Sequence, residues 1–368
     1  MCERPHWIEL LSGSDREEAL NIITKISSGL LAFDPLWRWY TELEYPDSLG
    51  FGDAGLALCL SYIGRTLELP STEAASVTFL NSALNGLNPG WMPYGFFRGG
   101  AGICWVASHI TQRNPARATG IPFPLHLQSM MKRSRQHDAP LDFFEGVSGG
   151  LTYICATNTP PGCRETLDYL ANRILTSAEA TPAGITWAPS DQAAQSVFQR
   201  LGQNVSRGAK PYILGIHGVS GILGSLLVLK CIDSCAPRLD ETISGAIEWL
   251  LNSRVMSDPC QGFPLIAGLD APAPALESLK ILPLLLNASS LYGRADWEFA
   301  AIEGASRLAR NGRSDIPRTF GLHAGCSGLA HLFNRFFQAT SDEFFADAAR
   351  YWYRRVMASR VPAWENFW

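Results

Sequence analysis

Apolar runs opened by a Gly-x-x-Gly motif recur five times along this chain. The first glycines are 47, 47, 72 and 107 residues apart, and they are Gly52, Gly99, Gly146, Gly218 and Gly325. The last spacing is about twice the shorter ones, so we expect a decayed sixth copy near residues 262–275. Runs such as LALCLSYI and ILGSLLVL are typical of helices that are buried on all sides.

Amphipathic segments lie between the copies. In Asp342–Arg360 the apolar residues recur at helical spacing, these being Phe344, Phe345, Ala348, Ala349, Trp352 and Val356. The pattern predicts alternating inner and outer helices, and no stretch shows the sustained period of two that is typical of strands. Stacked helix pairs form either a solenoid or a ring. Because glycines let helix starts crowd at one end, we predict an all-α fold of the α/α toroid class.

Residues just before the first glycines would face a common central opening of such a ring. This set comprises Arg98, Glu145 and His217, together with the nearby Asp142 and His323. Arg98 and Glu145 occupy the same position of successive copies, so we favour a salt bridge between them over an acid–base role for Glu145. The helix N-termini at this opening would offer backbone N–H groups to an anionic or enolate-like group.

Composition and charge narrow the function classes. With 30 basic and 34 acidic residues the net charge is −4, which argues against a nucleic-acid binder. The start of the chain shows no signal peptide pattern, and the most apolar stretch, Leu214 to Ile232, is too interrupted to predict a membrane span. Several of the nine cysteines lie inside apolar runs, which favours reduced thiols and a cytoplasmic protein.

Four segments resemble the lanthionine synthetase C-like (LanC-like) family. They are GFFRGGAGICWVASHI, LDFFEGVSGG, YILGIHGVSGILGSLL and GLHAGCSGLAHLFNRFFQATSDEFFADAARYW. The resemblance covers almost the whole chain, and it implies a single α/α toroid domain over residues 1–368. A further glycine repeat of the family is expected to be missing at the end, so that a partner chain would complete the ring or the ring would close with fewer elements.

The resemblance also implies a reaction and its partners. Family cyclases add a cysteine thiol of a precursor peptide to a dehydroalanine or dehydrobutyrine, which forms a thioether ring. A dehydratase or another modification enzyme of the same maturation process is an expected partner. The reaction needs a thiolate, which zinc with Cys and His ligands can provide, and an acid that protonates the α-carbon of the enolate.

Family site residues transfer only in part. Asp142 occupies the position of the family aspartate and His217 that of the His-Gly histidine, although the segment before His217 is a residue shorter than usual. The family Cys-His zinc ligands are replaced by His323 and Ala324. The third ligand survives as Cys260 if Pro259–Gly262 is the remnant of that repeat, and otherwise Ala267 takes its place. Arg254 is the nearest candidate for the arginine that precedes this ligand.

We therefore predict His217, Asp142 and His323 as catalytic residues, with Arg98 and Glu145 contacting substrate. No cofactor is the main expectation. The alternative is a rebuilt zinc site of Cys260, His323 and Cys326, in which the fourth position takes the substrate thiol. Cys326 has a plainer interpretation as a small buried residue.

Three functional hypotheses stay open. The first is a LanC-like cyclase that acts on a ribosomally made precursor peptide, with zinc or without it. The second is an inactive LanC-like scaffold that binds a precursor peptide or a partner enzyme. The third is another α/α-toroid enzyme, such as a glycosidase-like hydrolase that uses paired carboxylates. Asp142 and Glu145 are close in sequence for two groups that must flank a sugar bond, so this hypothesis ranks last.

Overall fold

The computed structural model describes residues 7–32, 45–87, 92–113, 139–157, 162–189, 212–232, 236–269, 273–312, 317 and 319–359. The described residues form twelve helices and one short β-hairpin, so the all-α prediction is confirmed. The elements are α1 (Gly13–Ala32), α2 (Asp53–Thr66), α3 (Pro70–Asn85), α4 (Gly100–Arg113), α5 (Val147–Ala156), α6 (Arg164–Thr176), β1 (Glu179–Thr181), β2 (Gly184–Thr186), α7 (Val219–Cys231), α8 (Leu239–Asn252), α9 (Ala275–Tyr292), α10 (Ala295–Asn311), α11 (Cys326–Thr340) and α12 (Glu343–Ala358).

The chain divides into two compact units. The first unit contains residues 1–25 and 254–368, and the second contains residues 26–253. The single domain over residues 1–368 stays a prediction. No helix among the described residues is both long enough and apolar enough to span a membrane.

In the second unit, inner helices pair with the amphipathic helices that follow them. Helix α2 packs on α3, α5 on α6, and α7 on both α5 and α8. The hairpin is antiparallel, with Glu179 opposite Thr186, and its strand β2 packs on α8. Nine residues of α7 are buried, which agrees with its nearly continuous apolar sequence.

In the first unit, the same pairing joins α9 to α10 and α11 to α12. Of the six apolar residues predicted on the inner face of α12, Phe345, Ala348, Ala349 and Trp352 are buried, and Phe344 and Val356 are half-buried. Helix α9 is the inner helix of the decayed copy and begins at Ala275 without a glycine pair. Here the Ser278 hydroxyl accepts the Phe263 N–H at 2.9 Å and donates to Phe263 O at 3.3 Å, so a side chain of the helix holds the segment that precedes it.

The five glycine motifs share one backbone arrangement at the start of each inner helix. A carbonyl of the preceding loop accepts the N–H that follows the first glycine, as Pro46 O does from Asp53 at 2.9 Å and Pro140 O from Val147 at 2.9 Å. A Cβ on Gly52 or Gly146 would overlap that same carbonyl oxygen. Their φ angles of −147° and −110° are accessible to any residue, so the glycines are required for space.

The second glycine of each motif meets another loop carbonyl. A Cβ on Gly55 would overlap Leu49 O, and one on Gly221 would overlap Ile216 O. In the fourth copy the capping carbonyl belongs to Ile213, five residues before Gly218, whereas the other copies use the residue six positions back. The loop before Gly218 is therefore one residue shorter, which agrees with the shorter segment that the sequence shows before His217.

The expectation that these helix starts offer N–H groups to an anion is wrong for the amides that the loop carbonyls bind. Val147 and Ser148 of α5 donate to Pro140 and Leu141, and Val219 and Ser220 of α7 donate to Ile213 and Leu214. The backbone satisfies its own terminal N–H groups here, which leaves any chemistry to side chains.

Replacing Gly146 by alanine tests the space requirement. We expect Gly146→Ala to lower the free energy of unfolding by about 3 kcal/mol or more, because the new methyl overlaps a backbone carbonyl that cannot move aside. The measurement is urea-induced unfolding followed by circular dichroism.

Gly150→Ala is the matched control in the same helix. Its Cβ would lie 3.6 Å from Leu170 Cδ1, an ordinary contact, so its stability should stay equal or rise by up to about 1 kcal/mol. Equal losses in both variants would contradict the carbonyl clash.

Candidate functional site

The loop before α5 folds around the side chain of Asp142. Its Oδ1 accepts the N–H groups of Phe144 at 2.7 Å and Glu145 at 2.8 Å, so the carboxyl holds a tight turn directly ahead of Gly146. Only 7% of the residue is exposed. Burial raises the pKa of Asp142 to about 6 and outweighs the two N–H groups, which act to lower it. The negative charge of Glu145 raises this pKa further.

Arg98 and Glu145 form the predicted salt bridge. Arg98 Nη1 lies 2.6 Å from Glu145 Oε1, with the two side chains 33% and 16% exposed. The Arg98 guanidinium also lies over three rings, at 5.9 Å from the centre of Tyr45 and 5.4 Å from those of Phe51 and Phe144. The pair is therefore held by charge and by aromatic packing, and Phe51 beside it is 42% exposed.

Backbone hydrogen bonds join the loops that carry these residues. Gly95 donates to Glu145 O at 2.9 Å, Phe96 to Phe143 O at 3.0 Å, and Gly50 to Phe97 O at 2.8 Å. A Cβ on Gly95 would overlap Phe144 O. The turns before Gly52, Gly99 and Gly146 are thus joined by main-chain hydrogen bonds, and this arrangement holds Arg98 next to Glu145.

His217 joins the same group through Phe144. The two ring centres are 4.5 Å apart with an angle of 43° between the planes, and His217 is half-buried at the turn before α7. We call Arg98, Asp142, Phe144, Glu145 and His217 the Phe144 cluster, since each of the other four contacts this residue or its neighbour in the turn.

Phe144 itself was missed by the sequence reasoning. The available signal was the apolar pair in LDFFEGVSGG, which stands between Asp142 and Glu145 where a solvent-facing turn would be polar. Phe144 is only 4% exposed, and its backbone N–H and its ring hold the two predicted proton-handling residues.

The first unit carries the three proposed metal ligands, and the structure does not gather their side chains in one cluster. His323 lies exposed in the turn before α11, whereas Cys326 is 1% exposed with its Sγ 4.0 Å from Pro317 O. Burial raises the pKa of the Cys326 thiol despite its contact with Arg355. Within the described part of the chain, no group of three His, Cys, Asp or Glu side chains is placed to hold a metal ion.

Cys260 and Arg254 lie in the loop after α8. Cys260 is half-buried, and Arg254 lies near Glu303 and Arg307 of α10, with its pKa lowered mainly by burial. The seven described cysteines do not form disulfides with one another.

Comparison with known proteins places the fold and the family. A solved structure named "Nisin cyclase" matches with a TM-score of 0.70 and 13% sequence identity, over 92% of this chain and 88% of that chain. The likeness shows the fold, so the prediction of the α/α toroid class is confirmed. A family profile described as "Lanthionine synthetase C-like protein" matches residues 44–259, more than half of the chain. The chain belongs to this family. No curated protein matches the chain.

The buried carboxyl predicts a specific pH dependence of stability. Because the folded-state pKa of Asp142 lies above its ordinary value of 3.8, the folded state keeps a proton that the unfolded state releases. This contribution is full below pH 4 and is lost as the pH rises through about 6. Asp142→Asn keeps the Oδ1 acceptor and removes the titration.

We expect the stability of Asp142→Asn relative to wild type to increase by up to about 3 kcal/mol between pH 4 and pH 8. Urea unfolding of both proteins at the two pH values measures this. A difference that stays constant with pH would show that the Asp142 carboxyl is not desolvated.

Proposed function

We propose that this LanC-like protein is a thioether cyclase of lanthipeptide-type maturation. It adds a cysteine thiol of a precursor peptide to a dehydroalanine or dehydrobutyrine of the same peptide. The observation that carries the proposal is the Phe144 cluster, which holds a carboxyl with a pKa of about 6 and an imidazole against one aromatic residue. Family membership and the cyclase fold of the solved neighbour support it.

The chemistry assigns one proton transfer to each residue. His217 accepts the thiol proton, the sulfur attacks the β-carbon, and the carbon–carbon π electrons move into an enolate. The protonated carboxyl of Asp142 then gives its proton to the α-carbon. The imidazolium of His217 returns the first proton to the Asp142 carboxylate through solvent, so the peptide gains a carbon–sulfur bond and loses no atoms.

A pKa of about 6 suits this acid. An ordinary aspartate at 3.8 would be almost fully ionised near neutral pH, whereas the buried carboxyl keeps a usable protonated fraction. Arg98 and Glu145 support the turn from beside it, and the exposed ring of Phe51 offers an apolar contact for the peptide.

Zinc has no part in the proposed reaction. The basis is the arrangement of the candidate ligands, in which Cys326 is buried against a backbone carbonyl and His323 faces solvent. The thiol of the peptide itself is the nucleophile and is deprotonated by His217. His323 stays a further candidate for proton handling, which a His323→Ala variant tests in the same assay.

An inactive scaffold is the second candidate function. The failure of Cys260, His323 and Cys326 to gather favours it, because a lost metal site is what an inactive relative of a zinc enzyme would show. The Phe144 cluster would then bind peptide without changing it. The hydrolase hypothesis gains no support, since Asp142 and Glu145 share one turn and Glu145 is paired with Arg98.

A cyclisation assay separates these functions. The enzyme is incubated with a dehydrated precursor peptide, and unreacted thiols are alkylated with iodoacetamide and counted by mass spectrometry, since ring closure alone leaves the mass unchanged. We expect His217→Ala and Asp142→Asn to slow ring formation by about 100-fold or more. Peptide binding should change by less than about threefold.

His331→Ala is the control, because His331 is a half-buried histidine on α11 outside the Phe144 cluster. A wild-type protein that binds the peptide and forms no thioether would establish the scaffold instead. Full cyclisation activity in both His217→Ala and Asp142→Asn would contradict the proton-transfer roles assigned to these two residues.

A further inference from the structure

A segment ahead of α1 that is neither helix nor strand lies across two helices of the first unit. We call residues 7–12 the N-terminal strap. Ile8 donates its N–H to Gln338 Oε1 at 2.7 Å, and Gln338 Nε2 donates back to Ile8 O at 2.8 Å. The same Nε2 also donates to Asn334 Oδ1 at 3.0 Å, which fixes the orientation of the amide. One glutamine of α11 therefore binds both main-chain groups of one residue.

Arginines of α11 and α12 extend this contact in both directions. Arg350 Nε donates to Leu10 O at 2.9 Å, and the Arg335 guanidinium lies 5.7 Å from the ring centre of Trp7. Beyond the strap, Arg354 binds Asp15 Oδ2 through two N–H groups at 2.8 and 3.0 Å. The helix face thus provides side chains that bind main-chain N–H and C=O groups, and an arginine that binds one acidic side chain.

The strap is held through its main chain, and its first three side chains are exposed, whereas Leu10 and Leu11 are half-buried. Trp7 is 53% exposed and Ile8 44% exposed, and Glu9 is also exposed. Gly13, with φ +53° and open space around its Cβ position, joins the strap to α1. A segment without a fully buried side chain opens locally at a lower cost in free energy than the packed helices do.

We propose that this face of α11 and α12 is an exchangeable site for a peptide segment of a partner that carries an acidic side chain after its main-chain contacts, which residues 7–15 occupy in cis. Main-chain hydrogen bonds supply most of the affinity, as they do when a peptide adds to a sheet edge, and they tolerate many sequences. Charge selects the occupant through Arg354, which binds the carboxylate of Asp15 in the first turn of α1. Arg335 adds a contact with the aromatic ring of Trp7. The site does not depend on whether the chain forms thioethers.

A peptide-exchange experiment on the full chain tests the site. The probe is a fluorescein-labelled synthetic peptide of residues 7–18, and its binding is followed by fluorescence anisotropy. Ile8→Pro removes the N–H that the strap gives to Gln338 and leaves the helix face unchanged, so we expect the probe to bind about tenfold more tightly than to wild type.

Adding Gln338→Met to Ile8→Pro should weaken the probe about tenfold, while adding Gln112→Met on α4 should leave binding unchanged. Equal probe binding by wild type and Ile8→Pro, or binding that survives Gln338→Met, would overturn the proposal. The wild type could also form dimers at increasing concentration that dissociate when the probe is added. That result would show that the occupant is a second copy of this chain, and it would overturn the proposed partner.

Hydrogen exchange of the unmodified protein gives a second test that needs no variant. The Ile8 amide should exchange about 100-fold faster than the amides in the middle of α11, because exchange of the strap requires local opening only. Protection of Ile8 equal to that of α11 would show a permanent structural contact and overturn the exchangeable site.

Discussion

The capping of the five helices that follow a Gly-x-x-Gly motif, each by a carbonyl of its own loop, is the interaction on which the rest of the structure depends. Helix N-termini leave N–H groups without partners, and proteins usually satisfy them with Ser, Thr, Asp or Asn side chains. Here the loop turns back so closely that Pro46, Pro140 and Thr319 carbonyls take this role, and only glycine leaves room for them. The Gly-x-x-Gly motif is thus a packing requirement before it is a functional signature.

The same turns make the candidate site. Each turn has main-chain N–H and C=O groups that are not used within the turn, and these form hydrogen bonds with the next turn. Gly50 donates its N–H to Phe97 O, and Gly95 donates its N–H to Glu145 O. The side chains just before the glycines are brought together as a result. Asp142 is placed where its carboxyl is both buried and bound by two N–H groups, and its pKa rises to about 6 since desolvation is the larger effect.

Repetition made much of this predictable. The position of Arg98 one copy before Glu145 predicted their salt bridge, and the apolar spacing in Asp342–Arg360 predicted the buried face of α12. The role of Phe144 was not predictable, because it depends on a ring contact with His217, 73 residues away in sequence. Local spacing also could not show that His323 faces solvent while Cys326 points into the core, since a helix start separates them.

Metal content tests the central claim most directly, namely that the proton chemistry belongs to the Phe144 cluster and needs no zinc. The protein should be purified without chelators or a metal-affinity tag and measured by elemental analysis, both as isolated and after zinc is added and removed by gel filtration. The account predicts no stoichiometric zinc in either sample. Stoichiometric zinc that is lost in His323→Ala or Cys326→Ala would contradict it and would place a working zinc site in the first unit.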